Sequence, residues 1–171
     1  MRDDEGFEEY VSARWVTLHR LALLLTASDG TAQELVQETL EKVYVVWPRV
    51  AGMDSPDAYV RRVMVNALTS QHRRAFRRRE VVVADPPEIA VPPAYEGDLA
   101  DHDLLWPLVC ALPPRQRAVV VLRYYEDLSE REIADELGCS AGTVKSTAHD
   151  AMTALRRAVA ALATTAQEVD R

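Results

Sequence analysis

A chain of 171 residues with a net charge of −7 is long enough for one compact domain or two small ones. It is too acidic to coat DNA indiscriminately. Its two cysteines, Cys110 and Cys139, lie far apart without metal-ligand spacing, which argues against a disulfide framework or a zinc site.

The opening residues, MRDDEGFEEY, are acidic and polar, unlike a signal peptide. No apolar run is long enough to span a bilayer. The expectation is a cytoplasmic protein without membrane insertion.

Trp15, Leu18, Ala22 and Leu25 mark a first amphipathic helix, broken at Ser28, Asp29 and Gly30. Thr31 and Glu34 have the spacing of a capping box for a second helix. Its apolar side carries Ala32, Leu35, Val36, Leu40, Val43, Tyr44 and Trp47, and its polar side Gln33, Gln37, Glu38 and Glu41. Pro48 is expected to end it. After a loop through Gly52 and Met53, Ser55 caps a third helix with Pro56 in its first turn.

On that third helix Val60, Val63, Met64, Ala67 and Leu68 share one side. Arg62, Asn66, Thr69, Arg73 and Arg77 share the opposite side. Arg61, His72, Arg74, Arg78 and Arg79 add charge nearby, so an acidic chain gathers its cations on one helix. A solvated face would explain them, but crowded arginines repel one another without an anionic partner. A basic stripe of this kind points to nucleic acid.

Residues 81–100, VVVADPPEIAVPPAYEGDLA, hold four prolines and several acids, a composition that resists helix and reads as a flexible acidic linker. Beyond it, Leu104, Leu105, Leu108, Val109 and Leu112 form a stripe, with Pro107 starting or kinking the helix. Pro113 and Pro114 stop it. The next helix should carry Ala118, Val121, Leu122 and Tyr125 inward. Arg115, Arg117 and Arg123 should meet phosphate or solvent.

Residues 129–157 then read as two helices joined by a tight turn. Ser129 and Glu132 form a capping box, Gly138 suits a left-handed helix stop, and Ser140 caps the following helix. Val144, Ala148, Ala151 and Leu155 form the buried face of that helix. Lys145, Ser146, His149, Asp150 and Thr153 form a polar face suited to a major groove. The fold class expected is therefore all-α: two small helical domains, 1–80 and 101–165, joined by the Pro-rich linker, the second holding a helix-turn-helix.

LVQETLEKVYVVW at 35–47, SPDAYVRRVMVNALTSQHRR at 55–74 and LPPRQRAVVVLRYYEDLSEREIADELGCSAGTVKS at 112–146, in this order, resemble a bacterial sigma factor of the extracytoplasmic-function group of the sigma-70 family. The resemblance implies that the first domain is sigma region 2 and the second sigma region 4, and it implies core RNA polymerase and promoter DNA as partners. The second helix would dock on the polymerase clamp through Leu35, Val36, Gln37, Glu38 and Glu41. Asn66 occupies the place of an asparagine that helps hold a flipped-out −10 base, with residues 48–57 forming the pocket. Arg62, Arg73 and Arg77 would hold the strand's phosphates.

Gly142, Thr143, Lys145 and Ser146 match the family's −35 recognition helix, and His149 shares their polar face. Relatives often carry Arg where this chain has Thr147 and Asp150, which leaves the strength of −35 dependence open. An anti-sigma factor is a further partner that the resemblance implies. The competing reading is a polymerase-independent helix-turn-helix regulator, which would need a dimer and a palindromic site. Catalysis is not expected: His102 and Asp103 lack further ligands, Cys110 lies on an apolar helix, and His19 and His72 have no spaced partners. No cofactor or metal is called for.

Overall fold

The computed structural model describes residues 4–78 and 99–169, with side chains for 6–71 and 105–163. Every element among the described residues is a helix, and the chain divides into two compact units, Met1–Pro92 and Pro93–Arg171.

In the first unit α1 (Asp4–Thr26), α2 (Asp29–Val45) and α4 (Pro56–Arg78) form a bundle, with α2 packed against both others and a single turn, α3 (Trp47–Val50), between α2 and α4. The run Leu21 to Leu25 of α1, Leu35, Val36 and Val43 of α2, and Val60, Met64, Val65 and Leu68 of α4 are buried. Each such aliphatic side chain contributes about 1.5–3 kcal/mol relative to exposure. Thr39 is buried as well, its hydroxyl satisfied by the Leu35 carbonyl at 2.7 Å.

Two boundaries differ from the sequence expectation. Ala27 turns the chain with a φ of +58°, so α2 begins three residues early: its N-cap is Ser28, which accepts from the Thr31 amide at 3.5 Å. The expected Thr31 cap is thus inside the helix, because Ser28 supplies the same oxygen one turn earlier. Likewise Pro48 does not terminate α2, which ends at Val45; it sits in the first turn of α3, where its missing N–H costs nothing. Ser55 caps α4 as expected, accepting from the Ala58 amide at 3.4 Å.

The second unit comprises α5 (Leu99–Cys110), α6 (Pro114–Tyr124), α7 (Glu130–Leu137) and α8 (Ala141–Val169). Helix α8 touches all three others. Leu112, Val120 and Ala151 make one core cluster, with Ala154 and Leu155 packed on it. Leu99 and Ala100 belong to α5 rather than to the expected linker, and α8 continues past residue 165. Residues 81–98 lie outside the described residues. Pro107 stands inside α5 rather than starting it. That helix buries Trp106 and leaves Leu105 47 % exposed, so its inward face is rotated from the expected stripe toward the larger ring.

Two expectations for α6 and its surroundings, those for Arg117 and Tyr125, are corrected. Arg117 is 7 % exposed and donates to the carbonyls of Cys110 at 2.8 Å and Leu112 at 3.4 Å. It ties the end of α5 to α6 rather than meeting phosphate. Arg123 is engaged by Glu130 at 3.0 Å. Tyr125 is exposed, not inward, because α6 ends at Tyr124 and the chain turns away there.

Candidate nucleic-acid interface

The helix-turn-helix is assembled by local signals. Ser129 accepts from the Glu132 amide at 3.3 Å, and the Glu132 carboxylate accepts from the Ser129 amide at 2.9 Å, so two orphan donors at the start of α7 are satisfied together. Gly138 ends α7 with φ +63° and ψ 43°, a conformation that suits a residue without a Cβ. Ser140 then accepts from the Thr143 amide at 3.1 Å to start α8.

Val144, Ala148 and Ala151 are buried, while Gly142, Lys145, Ser146, His149 and Asp150 are exposed and Thr143 is half-buried. The polar face expected from the sequence is therefore solvent-facing. Ser146 Oγ donates to the Thr143 carbonyl at 3.1 Å. Beside the start of α8 lies an open concavity lined by Arg123, Tyr124, Asp127, Ser129, Arg131 and Ala141. Arg131 there and Arg115 on α6 are exposed; Arg115 was expected to meet phosphate or solvent, and only Arg131 had no role in the sequence reading.

On α4 of the first unit, Asn66 and Arg62 are exposed, whereas Met64, Val65, Ala67 and Leu68 are buried. The helix runs on through Arg73 and Arg77, whose side chains lie outside the described residues. Residues 51–55 form the connection that precedes α4.

Helix α2 separates the expected polymerase-facing residues into two kinds. Gln37 and Glu41 are exposed and hydrogen-bonded to each other at 3.0 Å. Glu38 is partly exposed; Lys42 Nζ lies 2.6 Å from its Oε1, and Gln71 Nε2 of α4 donates to its Oε2 at 2.8 Å. Leu35 and Val36, expected on the same contact surface, have no exposed area at all. They hold α2 in the bundle and cannot touch a docked protein while the bundle is closed.

Among the described residues no group of three or more His, Cys, Asp or Glu is placed to hold a metal ion. The side chains of His72, His102 and Asp103 lie outside the described residues. His19 Nε2 is 3.3 Å from Asp29 Oδ1, and its ring stacks on Trp15, so it serves the α1–α2 junction. Burial pushes the Cys110 thiol up to about 11, against the lowering effect of Arg117. No helix among the described residues is long and apolar enough to cross a membrane.

Comparison with known proteins accounts for both units. Residues 13–78 match Sigma-70 region 2, and residues 102–155 match Sigma-70, region 4. The chain is 43% identical over 150 residues to an RNA polymerase sigma-E factor of Streptomyces avermitilis, covering 88% of this chain and 83% of that protein. It is 41% identical over 165 residues to the sigma-E factor of Streptomyces coelicolor, covering 96% and 92%. With the ECF RNA polymerase sigma factor SigL of Mycobacterium tuberculosis it shares 33% identity over 155 residues, covering 88% and 84%. The fold is similar to that of the sigma factor RpoE solved with the anti-sigma factor NepR from Bartonella quintana, with a TM-score of 0.71 at 24% identity over 90% of this chain and 96% of that one. With two family regions in order and whole-length relatives at this identity, the chain belongs to the extracytoplasmic-function group of the sigma-70 family of RNA polymerase sigma factors.

Proposed function

We propose that this sigma factor divides promoter selection among three surfaces. The exposed side of α2, through Gln37, Glu38 and Glu41, meets core RNA polymerase, with Leu35 and Val36 stiffening the helix from beneath. Asn66, flanked by Arg62, Arg73 and Arg77, takes an unstacked base of the −10 element against the segment 48–57. Gly142, Thr143, Lys145, Ser146 and His149 enter the −35 major groove.

The observation that carries this reading is the exposure of Asn66 next to Arg62 on a helix whose other side is buried. A carboxamide can make paired hydrogen bonds to an open base edge that a closed duplex would hide. Arginines alongside supply sequence-independent affinity for the strand. In the second unit Asp150 works against phosphate, so Arg115 and Arg131 supply the missing neutralisation around α8.

The chain works in the cytoplasm without cofactor or catalytic chemistry of its own, and an anti-sigma factor would compete for the same surfaces. Residues 79–98 serve as the tether between α4 and α5. A helix-turn-helix regulator acting without polymerase would leave the region 2 match at residues 13–78 without a task.

The test is promoter opening by core polymerase reconstituted with Asn66→Ala. Permanganate reactivity of the −10 region should fall at least about tenfold, as expected when paired hydrogen bonds to a base are removed, with core-polymerase affinity unchanged. Equal loss of both, or loss of neither, would refute the role given to Asn66.

A further inference from the structure

The segment leading into α4 is held at both ends by one face of α1. At its near end Trp47, 5 % exposed, receives the Phe7 ring edge-on at 5.3 Å and the Tyr10 ring at 4.9 Å. Phe7 also packs on Tyr44 at 5.1 Å. At its far end Asp57 accepts a hydrogen bond from the Tyr10 hydroxyl at 3.0 Å and pairs with Arg14 at 2.7 Å. Tyr10 therefore joins the two ends, with its ring on Trp47 and its hydroxyl on Asp57. Between them, Arg49 donates to the Tyr59 hydroxyl at 3.3 Å and lies over that ring.

Asp57 stands in the first turn of α4, where the helix dipole favours a carboxylate. The Arg14–Asp57 pair is half exposed on both sides and by itself adds little to stability. Helix α4 is already fixed by Val60, Met64, Val65 and Leu68 in the core. What the contacts with α1 add is a defined path for the chain between Trp47 and Asp57, as a site that must bind without reorganising requires. The match to Sigma-70 region 2 begins at residue 13, so Phe7 and Tyr10 precede the part of the chain recognised as that region.

We propose that Phe7, Tyr10 and Arg14 are positioning residues that set the shape of segment 48–57 and so its selectivity for the −10 base. The proposal rests on the reading of Asn66 and this segment as the base pocket. The two are separated by assaying full-length protein with core polymerase on fork-junction DNAs that differ only in the non-template −10 bases. The variants are Tyr10→Phe, Asp57→Asn and Arg14→Lys, with Asn66→Ala as the reference.

Tyr10→Phe and Asp57→Asn should each lose about fivefold in discrimination between the preferred base and the others, the upper end for an exposed polar pair. Melting temperature and core-polymerase affinity should stay at the wild-type values, and Arg14→Lys, which keeps the charge, should retain discrimination. Unchanged discrimination in Tyr10→Phe, with Asn66→Ala impaired, overturns the positioning role and leaves the pocket standing. A silent Asn66→Ala overturns the pocket and the positioning role together. Should Asp57→Asn unfold, Tyr10→Phe decides, since it keeps the packed ring and removes only the hydroxyl.

Discussion

The Arg117 guanidinium donates to the Cys110 carbonyl at 2.8 Å, so a side chain of α6 closes the last turn of α5. Helix ends leave carbonyls without intrahelical partners, and here a buried cation meets them. Burial lowers the Arg117 pKa from its ordinary value, but a guanidinium stays charged across the physiological range. Arg117→Met should cost about 2 kcal/mol, because it strands acceptors in the interior. Hydrogen exchange at the α6 amides should accelerate while the α2 amides keep their protection. Arg117→Lys should recover part of the loss.

Gly138 offers a cleaner backbone experiment. A Cβ built at this position meets nothing within 4 Å, so Gly138→Ala introduces no clash and tests only the φ of +63°. The expected cost is about 1–2 kcal/mol, the penalty for an L-residue in the left-handed region. Urea unfolding would read it as a lower midpoint with an unchanged slope. Gly138→Asn should be milder, since asparagine tolerates that region.

Cys110 makes stability fall in alkali. The unfolded thiol ionises near 9.0 and the folded one at about 11, because burial disfavours the thiolate. Below pH about 9 both states keep the proton and the contribution is complete. Between about 9 and 11 the unfolded state releases it first, so stability declines as pH rises. Cys110→Ala should remove that part of the alkaline slope. Alkylation of Cys110, followed by mass spectrometry of its peptide, should reach half its limiting rate near pH 11.

Lys145 is exposed in the second turn of α8, and in the function proposed above it would meet the −35 groove. With holoenzyme bound to a −35 duplex, Lys145→Ala should weaken affinity. It should also reduce the slope of log K against log salt by about 1, as expected when one phosphate is no longer neutralised. An unchanged salt slope with altered base preference would instead place the ammonium on a base edge.

Signals confined to one helical turn were readable in advance. Ser129 and Glu132 lie three residues apart and complete their capping box without help from the rest of the chain. Gly138 and Ser55 are equally local. Where two residues could play the same part, tertiary geometry chose between them: Ser28 rather than Thr31 caps α2 because the positive φ of Ala27 turns the chain one residue before the serine. Residue type also misled where packing overrode it. Arg117, expected to meet phosphate or solvent, is buried by serving carbonyls seven and five residues away.

At the candidate sites, periodicity foretold that Asn66, Gln37, Lys145 and His149 would be exposed. The resemblance alone had put Leu35 and Val36 on the polymerase surface, although their own periodicity placed them inside. The pairing of Tyr10 with Asp57 was invisible, because 47 residues separate the partners and neither carries a pattern that names the other.

Among the described side chains of α8, Ala151 is the last that is fully buried, and Val159 and Leu162 are 44% and 50% exposed, while the helix continues to Val169. Fourteen residues beyond Leu155 extend roughly 21 Å at 1.5 Å per residue, and their alanines favour the helix. This rod is a ready mounting post: a fluorophore fixed at Ala163 would ride on the same helix as Lys145 and would report the tilt of that helix when promoter DNA is added to the holoenzyme.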